Sequence, residues 1–346
     1  MPERSGSTIK EIAQRADVSV ATVSRVLNNT ANVRPAVRDR VLAIVQEIGY
    51  QPDPIARSLR TQATHTVGFI IRDLVDTVFS TMAQGVDNVL REHGYTLLLS
   101  TSSHDPDRDA HQLATLRSRR VDGFILAITE ETSPSLIDEV RKTTRPIVLL
   151  DREMHGTATD AVLTDYLSGT RDAIAYLKRL GHQRIGYIGG TLTIRSGRER
   201  LRAFTLAMRE NGLEPRESDL FTGSFLQPFA VESCQRLLDQ PEPPTALLAA
   251  GNQIGVGVLQ VLRDRGLRIP DDLSLICIDD VDLFRHGNPP VTVISRPFER
   301  IGQLAATRLL ERIRNADEVE HQQIIVPTTL IIRESCGPVS DKLTKE

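Results

Sequence analysis

The sequence predicts two unlike parts in one chain: a small all-α head with a helix-turn-helix and a hinge helix, then a two-lobed α/β body on parallel sheets. Three observations carry this. Residues 8–48 place apolar side chains at helical spacing, with cap and turn residues between the runs. From Val67 the spacing changes to short apolar runs alternating with amphipathic stretches. Near residue 160 that alternation breaks off and then begins again.

The head opens with Thr8 and Glu11 in the T-x-x-E spacing of a capping box, followed by an apolar stripe of Ile9, Ile12, Ala13 and Ala16. Asp17-Val18 makes a turn, and Ser19 is a good N-cap for a second helix. In that helix Val23, Val26 and Leu27 face inward and leave Val20, Ala21, Ser24 and Arg25 outward. Methyl, hydroxyl and guanidinium groups on one helix face suit the floor of a DNA major groove. There methyls touch thymine, hydroxyls reach phosphate, and arginine pairs with guanine O6 and N7. A solvated helical hairpin without a ligand has the same core pattern, so the outer face carries the distinction. A third helix runs from Pro35 to Ile48, on Val37, Val41, Ile44, Val45 and Ile48, and Gly49 ends it. Asp53-Pro54 then opens about two turns ending near Arg60. So short a helix is marginal in water, which makes it a hinge that folds when something holds it.

In the body, Val67–Ile71, Thr96–Leu99, Gly123–Ile128 and Ile147–Leu150 read as strands, between helices at Phe79–His93, Arg108–Arg119 and Leu136–Thr143. The second series has strands at Ile185–Ile188, Leu220–Phe221, Ala246–Ala250 and Leu275–Ile278, with helices at Arg198–Asn211, Phe229–Gln240 and Ile254–Arg265. Strand–helix alternation implies parallel sheets covered on both faces. Ile324–Ile332 reads as one late strand. The expected division is residues 1–62 for head and hinge, 63–164 with 293–323 for a first lobe, 165–292 with 324–338 for a second, and a mobile tail at 339–346.

Composition narrows the function. The chain has 346 residues and a net charge of -3. Residues 1–62 hold nine Lys/Arg against six Asp/Glu, so a head of +3 sits on a body of -6. No run approaches a membrane span, and the first ten residues lack the apolar core of a signal peptide, which points to the cytoplasm. Cys234, Cys277 and Cys336 are too few and too scattered for a disulfide framework or thiolate metal site. No metal or cofactor is expected. Val67–Ile71 is followed by Arg72-Asp73-Leu74 without the glycine turn of a dinucleotide site. The chain lacks G-x-S-x-G and H-E-x-x-H, and its His residues show no ligand spacing. An NAD-dependent oxidoreductase, or a sugar-binding protein with an incidental helical head, is thereby disfavoured.

Head, hinge and body together resemble the LacI–GalR family of bacterial transcription regulators. The residues that carry this are T-I-K-E-I-A at 8–13, V-S-V-A-T-V-S-R-V-L-N at 18–28, G-Y-x-P at 49–52 and A-R-S-L at 56–59. In the body they are V-D-G at 121–123, G-H-x-R-I at 181–185, R-x-R-L-x-A-F at 198–204, G-L-x-I-P-D-D-L-S-L at 266–275, I-D-D at 278–280 and P-P-V-T-V-I-x-R-P at 289–297. The resemblance implies a core of the type I periplasmic-binding-protein kind, a homodimer, a palindromic operator in double-stranded DNA, and a small sugar, polyol or sugar derivative as effector. It makes Val20 and Ala21 the chief operator-choosing pair, similar to the galactose-repressor branch, and Arg25 the guanine reader. Ser19, Thr22, Ser24 and Asn28 become phosphate-side or cap positions. Leu59 becomes a minor-groove wedge flanked by Ala56 and Arg60. In the body it makes Arg200 and Asp279 the pair that binds effector hydroxyls, with Phe79 and Phe225 on the pocket wall and Asn252 and Asp165 beside them.

The chain departs from the family pattern at Val78, where Pro or an aromatic is common, at Tyr166 in place of Asn, and at Gln253 in place of Asp. Ile194 replaces an arginine that the purine-repressor branch uses for its base, which argues against a purine. Arg72, Arg152 and Arg296 add positive charge near the expected cleft rims. They fit either an acidic or phosphorylated sugar or structural ion pairs.

Overall fold

A computed structural model describes residues 9–27, 33–50, 63–315 and 320–339. The chain divides into two compact units, Met1–Thr64 and His65–Glu346.

In the first unit, α1 (Ile9–Arg15), α2 (Val20–Leu27) and α3 (Pro35–Glu47) enclose a small core of Ile12, Ala13, Ala16, Val23, Val26 and Val41. Asp17 makes the turn at φ 49°, a left-handed value that Asp tolerates. The Thr22 amide donates to Ser19 Oγ at 3.1 Å, so Ser19 caps α2. Gly49, at φ 63°, ends the α3 segment. Thr8 of the expected capping box and the hinge around Pro54–Arg60 lie outside the described residues.

The second unit holds two six-stranded sheets. Its elements in chain order are β1 (Thr66–Ile71), α4 (Thr77–Glu92), β2 (Thr96–Thr101), α5 (Pro106–Ser118), β3 (Gly123–Leu126), α6 (Pro134–Arg141), β4 (Ile147–Leu150), β5 (Asp160–Asp165), α7 (Tyr166–Arg179), β6 (Ile185–Gly189), α8 (Arg195–Glu210), β7 (Leu220–Thr222), α9 (Gln227–Leu238), β8 (Ala246–Ala249), α10 (Asn252–Asp264), β9 (Ser274–Ile278), α11 (Asp282–Arg285), β10 (Thr292–Ser295), α12 (Phe298–Arg314), β11 (Gln323–Pro327) and β12 (Thr329–Ile331). The first sheet runs β11-β5-β4-β3-β1-β2 and is parallel throughout. The second runs β12-β10-β9-β8-β6-β7, parallel except for the edge pair of β12 with β10. Central strands such as β3, β4, β8 and β9 are buried along their whole length, as sheets covered by helices on both faces require.

Two expected boundaries are corrected by this topology. The single late strand Ile324–Ile332 is two strands in different sheets, broken at Thr328. Residues 324–327 therefore belong with the first lobe, and β10, expected there, belongs with the second. Thr328 makes the break: its hydroxyl donates to the Asp165 carbonyl at 2.7 Å and accepts from the Gly169 amide at 3.0 Å. A uniform apolar stretch does not reveal that its two ends pair with different partners. The chain passes between lobes at Asp165–Tyr166, at Arg296–Pro297 and at Thr328, so the two sheets are tied side by side.

His182 anchors the far end of the second lobe. Its ring nitrogens meet Thr245 Oγ1 at 2.8 Å, Ser274 Oγ at 3.0 Å and the Gly337 carbonyl at 3.1 Å. Cys234 is buried among apolar neighbours, and burial pushes its thiol up to about 12.

Helices α4 and α12 cross on one face of the first sheet at a pair of glycines. A Cβ on Gly85 would lie 2.1 Å from the Glu299 carbonyl oxygen, and one on Gly302 would lie 2.1 Å from that of Met82. Ala at Gly302 gains about 1 kcal/mol in helix propensity. Pushing two backbones apart costs about 1–3 kcal/mol. The second effect dominates, so Gly302→Ala is expected to lower the urea midpoint of the core while leaving the slope of the transition unchanged. An unchanged or raised midpoint contradicts this packing.

Candidate functional site

Ligands of parallel α/β sheets bind beyond the carboxyl ends of the strands. Here those ends supply Arg72 after β1, Asp151 and Arg152 after β4, Gly251 and Asn252 after β8, Asp279 after β9 and Arg296 after β10. All of them line one cleft of about 340 Å³ between the lobes. Helix starts complete the wall, with Asp76, Val78 and Phe79 from α4, and Ser196 and Arg200 from α8.

A buried polar network forms the floor. Arg296 Nε donates to Asp279 Oδ1 at 2.7 Å, and its Nη1 donates to Tyr166 Oη at 3.2 Å and Asp151 Oδ2 at 3.4 Å. The Tyr166 hydroxyl donates to the same Asp151 oxygen. Arg200 Nη2 donates to Tyr166 Oη at 3.0 Å and lies 3.7 Å from Asp279 Oδ2, while its Nη1 donates to the Ala250 carbonyl at 2.7 Å. Arg195 Nη1 donates to Asp151 Oδ1 at 3.1 Å. Asp151 and Asp279 both take left-handed backbone, at φ 52° and 86°. Such strain persists only where the surroundings over-determine it.

Electrostatics follow from this arrangement. Burial raises the Asp151 carboxyl, but Arg296, Arg195 and the Tyr166 hydroxyl outweigh burial and hold it below the ordinary carboxylate range. Burial lowers Arg296, but Asp279, Tyr166 and Asp151 more than restore it and keep the guanidinium charged. Asp76 moves the other way. Burial raises its carboxyl, with the Val78 amide (3.0 Å) and Asn252 Nδ2 (2.8 Å) opposing as donors to Oδ1.

Of the six expected effector-site residues, the structure gathers Phe79, Arg200, Phe225, Asn252 and Asp279 on the cleft wall. Asp165 is not among them. Its carboxylate caps α7, accepting from the Leu167 amide at 2.9 Å, the Ser168 amide at 3.4 Å and the Ser168 hydroxyl. An acid before a helix is a good cap, and the cap geometry turns it from the cavity. Tyr166, marked only as a departure, is the hub of the floor. Asp151 and Arg195 belong to no motif of the sequence, although Asp151 follows the apolar run Ile147–Leu150 as Asp279 follows its own. Arg72, Arg152 and Arg296 all line the cleft, with Arg152 and Arg296 buried and Arg72 half-buried. Ile194 is fully buried and does not line the cleft.

The head presents a second candidate surface. On α2, Val23 and Val26 are buried, whereas Val20, Ala21 and Arg25 are exposed, and Thr22 and Ser24 are half-buried beside the Ser19 cap. The helix thus shows a short row of methyl, hydroxyl and guanidinium groups held by a fixed core. Asn28, Ala56, Leu59 and Arg60 lie outside the described residues. Among the described residues no acid, His or Cys cluster is placed to hold a metal ion, and no helix is long and apolar enough to cross a membrane.

Asp151→Asn removes the carboxylate on which Arg296 and Arg195 converge, and leaves buried cations under-compensated. The expected cost is about 3 kcal/mol or more at neutral pH. Because the folded carboxyl ionises more readily than the unfolded one, its contribution is complete above about pH 4 and is lost as the pH falls through the lower folded value. The gap between wild type and variant in urea unfolding therefore narrows as the pH drops from neutral to below about 4. A gap that stays constant with pH refutes the ionic role.

Residues 8–53 match the bacterial regulatory proteins, lacI family, and residues 174–336 match a periplasmic binding protein-like domain. Catabolite control protein A of Priestia megaterium is 32% identical over 332 residues, covering 95% of this chain and 98% of that protein. The HTH-type transcriptional repressor PurR of Klebsiella pneumoniae (strain 342) is 34% identical over 340 residues, covering 97% and 99%. A crystal structure of the Lac repressor dimer bound to operator and the anti-inducer ONPF matches with a TM-score of 0.83 at 25% identity, covering 95% of this chain and 99% of that one. With a three-helix head of this pattern, two parallel sheets around a cleft, and relatives matched over nearly their whole length, the chain belongs to the LacI family of bacterial regulatory proteins.

Proposed function

We propose that the protein is a cytoplasmic repressor that binds a palindromic operator as a homodimer and is released or retained by a small polyol or sugar derivative in the cleft. The observation that carries the DNA side is the outer face of α2, where Val20, Ala21 and Arg25 are exposed by a core that fixes Val23 and Val26 inward. Arg25 reads guanine in the major groove, the Val20-Ala21 pair sets operator preference after the manner of the galactose-repressor branch, and Ser19, Thr22, Ser24 and Asn28 serve phosphates or the cap. The hinge adds Leu59 as a minor-groove wedge, with Ala56 and Arg60 beside it. A pyrimidine–purine step at the operator centre opens most easily for such a wedge.

Arg200 and Asp279 support the effector side, because a fork of donors and a carboxylate acceptor stand side by side, 3.7 Å apart, on the lining of one small cavity. Asn252 and Phe225 complete that wall, and Phe79 faces them from the other lobe. Contacts across the cleft supply the response. Asn252 Nδ2 donates to Asp76 Oδ1 at 2.8 Å, Arg152 Nη1 to Ser196 Oγ at 3.2 Å, and Arg198 Nη2 to Glu131 Oε2 at 2.8 Å. A ligand that strengthens or replaces these contacts changes lobe closure and thereby the hinges. Operator and effector then alter each other's affinity by the same factor.

Arg25→Ala is expected to cost about 1–3 kcal/mol on the operator and to relax preference at one base pair. Equal losses on operator and random duplex, measured at one salt concentration, exclude base reading by Arg25. Asp279→Asn is expected to lower stability as Asp151→Asn does, because Arg296 and Arg200 lose a carboxylate. At a temperature where circular dichroism shows the variant folded, it should keep operator binding and lose the effector response in a fluorescence-anisotropy titration. A normal response in this variant removes Asp279 from the effector site.

A further inference from the structure

Within the cleft, each carboxylate already has close donors, whereas two guanidiniums make no ion pair: Asp76 and Asp73 act on Arg72, and Asp151 and Glu131 on Arg152, only from beyond contact. Asp151 is met by Arg195 and Arg296, Asp279 by Arg296 and Arg200, and Asp73 by His104 at 2.7 Å. Asp76 accepts from the Val78 amide and Asn252. Arg152, by contrast, donates only to neutral oxygens: the Ile128 carbonyl at 2.7 Å, the Asp151 carbonyl at 2.8 Å and Ser196 Oγ at 3.2 Å. Arg72 lies over the rings of Phe79, at 5.0 Å, and Phe225, at 5.3 Å. Its Nε is shut from solvent and has no hydrogen-bond partner. Neither arginine comes within ion-pairing distance of a carboxylate among the described residues. Burial and the nearby Arg152 push the Arg72 guanidinium down to about 10, against the opposing pull of Asp76 and Asp73.

A guanidinium drawn from water without an ion pair is costly; Arg152 is buried and Arg72 half-buried, and two on one cavity repel each other as well. Hydroxyl groups can accept their hydrogen bonds but cannot neutralise them. We propose that the cleft is built for an anionic ligand, a small polyol carrying a carboxylate or phosphate group whose charged end docks on Arg72 and Arg152. This rests on the cleft being the effector site. Phe79 and Phe225 flank the Arg72 guanidinium, and a carboxylate or phosphate offers such a group a planar, two-oxygen contact. The hydroxyl end then falls to Arg200, Asp279 and Asn252. A volume of about 340 Å³ suits a ligand of monosaccharide size.

The test uses the full-length protein and Arg72→Leu. In ligand-free thermal unfolding at matched ionic strength, inorganic phosphate in place of chloride should raise the wild-type Tm by several degrees and leave that of Arg72→Leu unmoved. In chloride without phosphate, Arg72→Leu should melt higher than wild type, since it removes a cation that has no ion pair. Calorimetric titration then compares three ligands on one carbon skeleton: glucose, gluconate and glucose 6-phosphate. At least one charged member should bind tenfold or more tightly than glucose, and in Arg72→Leu that ratio should fall toward one. Preference for gluconate assigns a carboxylate, and preference for glucose 6-phosphate a phosphate. Glucose binding as tightly as both anions, a lower Tm for ligand-free Arg72→Leu, or equal phosphate stabilisation of both proteins overturns the proposal. Loss of all binding in Asp279→Asn supports the cleft itself. Anion binding that depends on Arg72 but persists unchanged in Asp279→Asn would instead refute the hydroxyl-binding role of Asp279 while leaving the anion site standing.

Discussion

Arg296 joins Asp151, at the end of a strand in one sheet, to Asp279, at the end of a strand in the other, and much of the core depends on that bridge. It is buried together with both acids, so its value rests on geometry and on how completely the remaining donors and acceptors are used. Tyr166 completes it. Its hydroxyl donates to Asp151 and accepts from Arg200 and Arg296, so one phenol links three charged groups. Because the network spans both lobes, it limits how far they can separate without unpairing buried charge. The cleft therefore has a defined closed geometry in place of a loose gap.

Around this fixed floor the upper contacts are of a different kind. Asn252 with Asp76, Arg152 with Ser196, and Arg198 with Glu131 are single hydrogen bonds or part-exposed pairs across the lobes. Each is worth on the order of 1 kcal/mol. A ligand that competes for or completes a few of them supplies the few kcal/mol that a two-state shift requires. A firm floor under weak upper latches gives a hinge-like closure that small-molecule binding can bias.

Legibility differed from residue to residue for physical reasons. Ser19, Val23 and Val26 were readable because a cap and an apolar stripe depend on near neighbours in the chain. Arg200, Phe225, Asn252, Asp279 and Phe79 were reached through resemblance, not through spacing. Asp165 shows the limit of that route, since its carboxylate finds local amides and serves as a cap. The site roles of Asp151 and Tyr166 are not legible in the sequence, where Tyr166 stands out only as a departure, because their meaning lies in partners such as Arg195 and Arg296, remote in sequence. One local signal did point to Asp151: a charged residue directly after the fully apolar β4, at the end of a parallel sheet where ligands gather. Arg72, Asp151, Asn252, Asp279 and Arg296 all stand just beyond the carboxyl end of a strand.

By itself the sequence determined the three-helix head, the face of α2 that points outward, the alternating body and the family. These follow from periodicity, caps and ordered motifs, all local along the chain. Only the tertiary structure decided which sheet receives β10, β11 and β12, because an apolar strand carries no label for its partner. Only it decided which arginines are answered by acids and which are not. Arg296, Arg152 and Arg72 look alike in sequence. Arg296 meets two carboxylates, Arg152 meets neutral oxygens, and Arg72 meets two phenyl rings. Charge compensation is a property of distance in space, and distance in space is what folding adds.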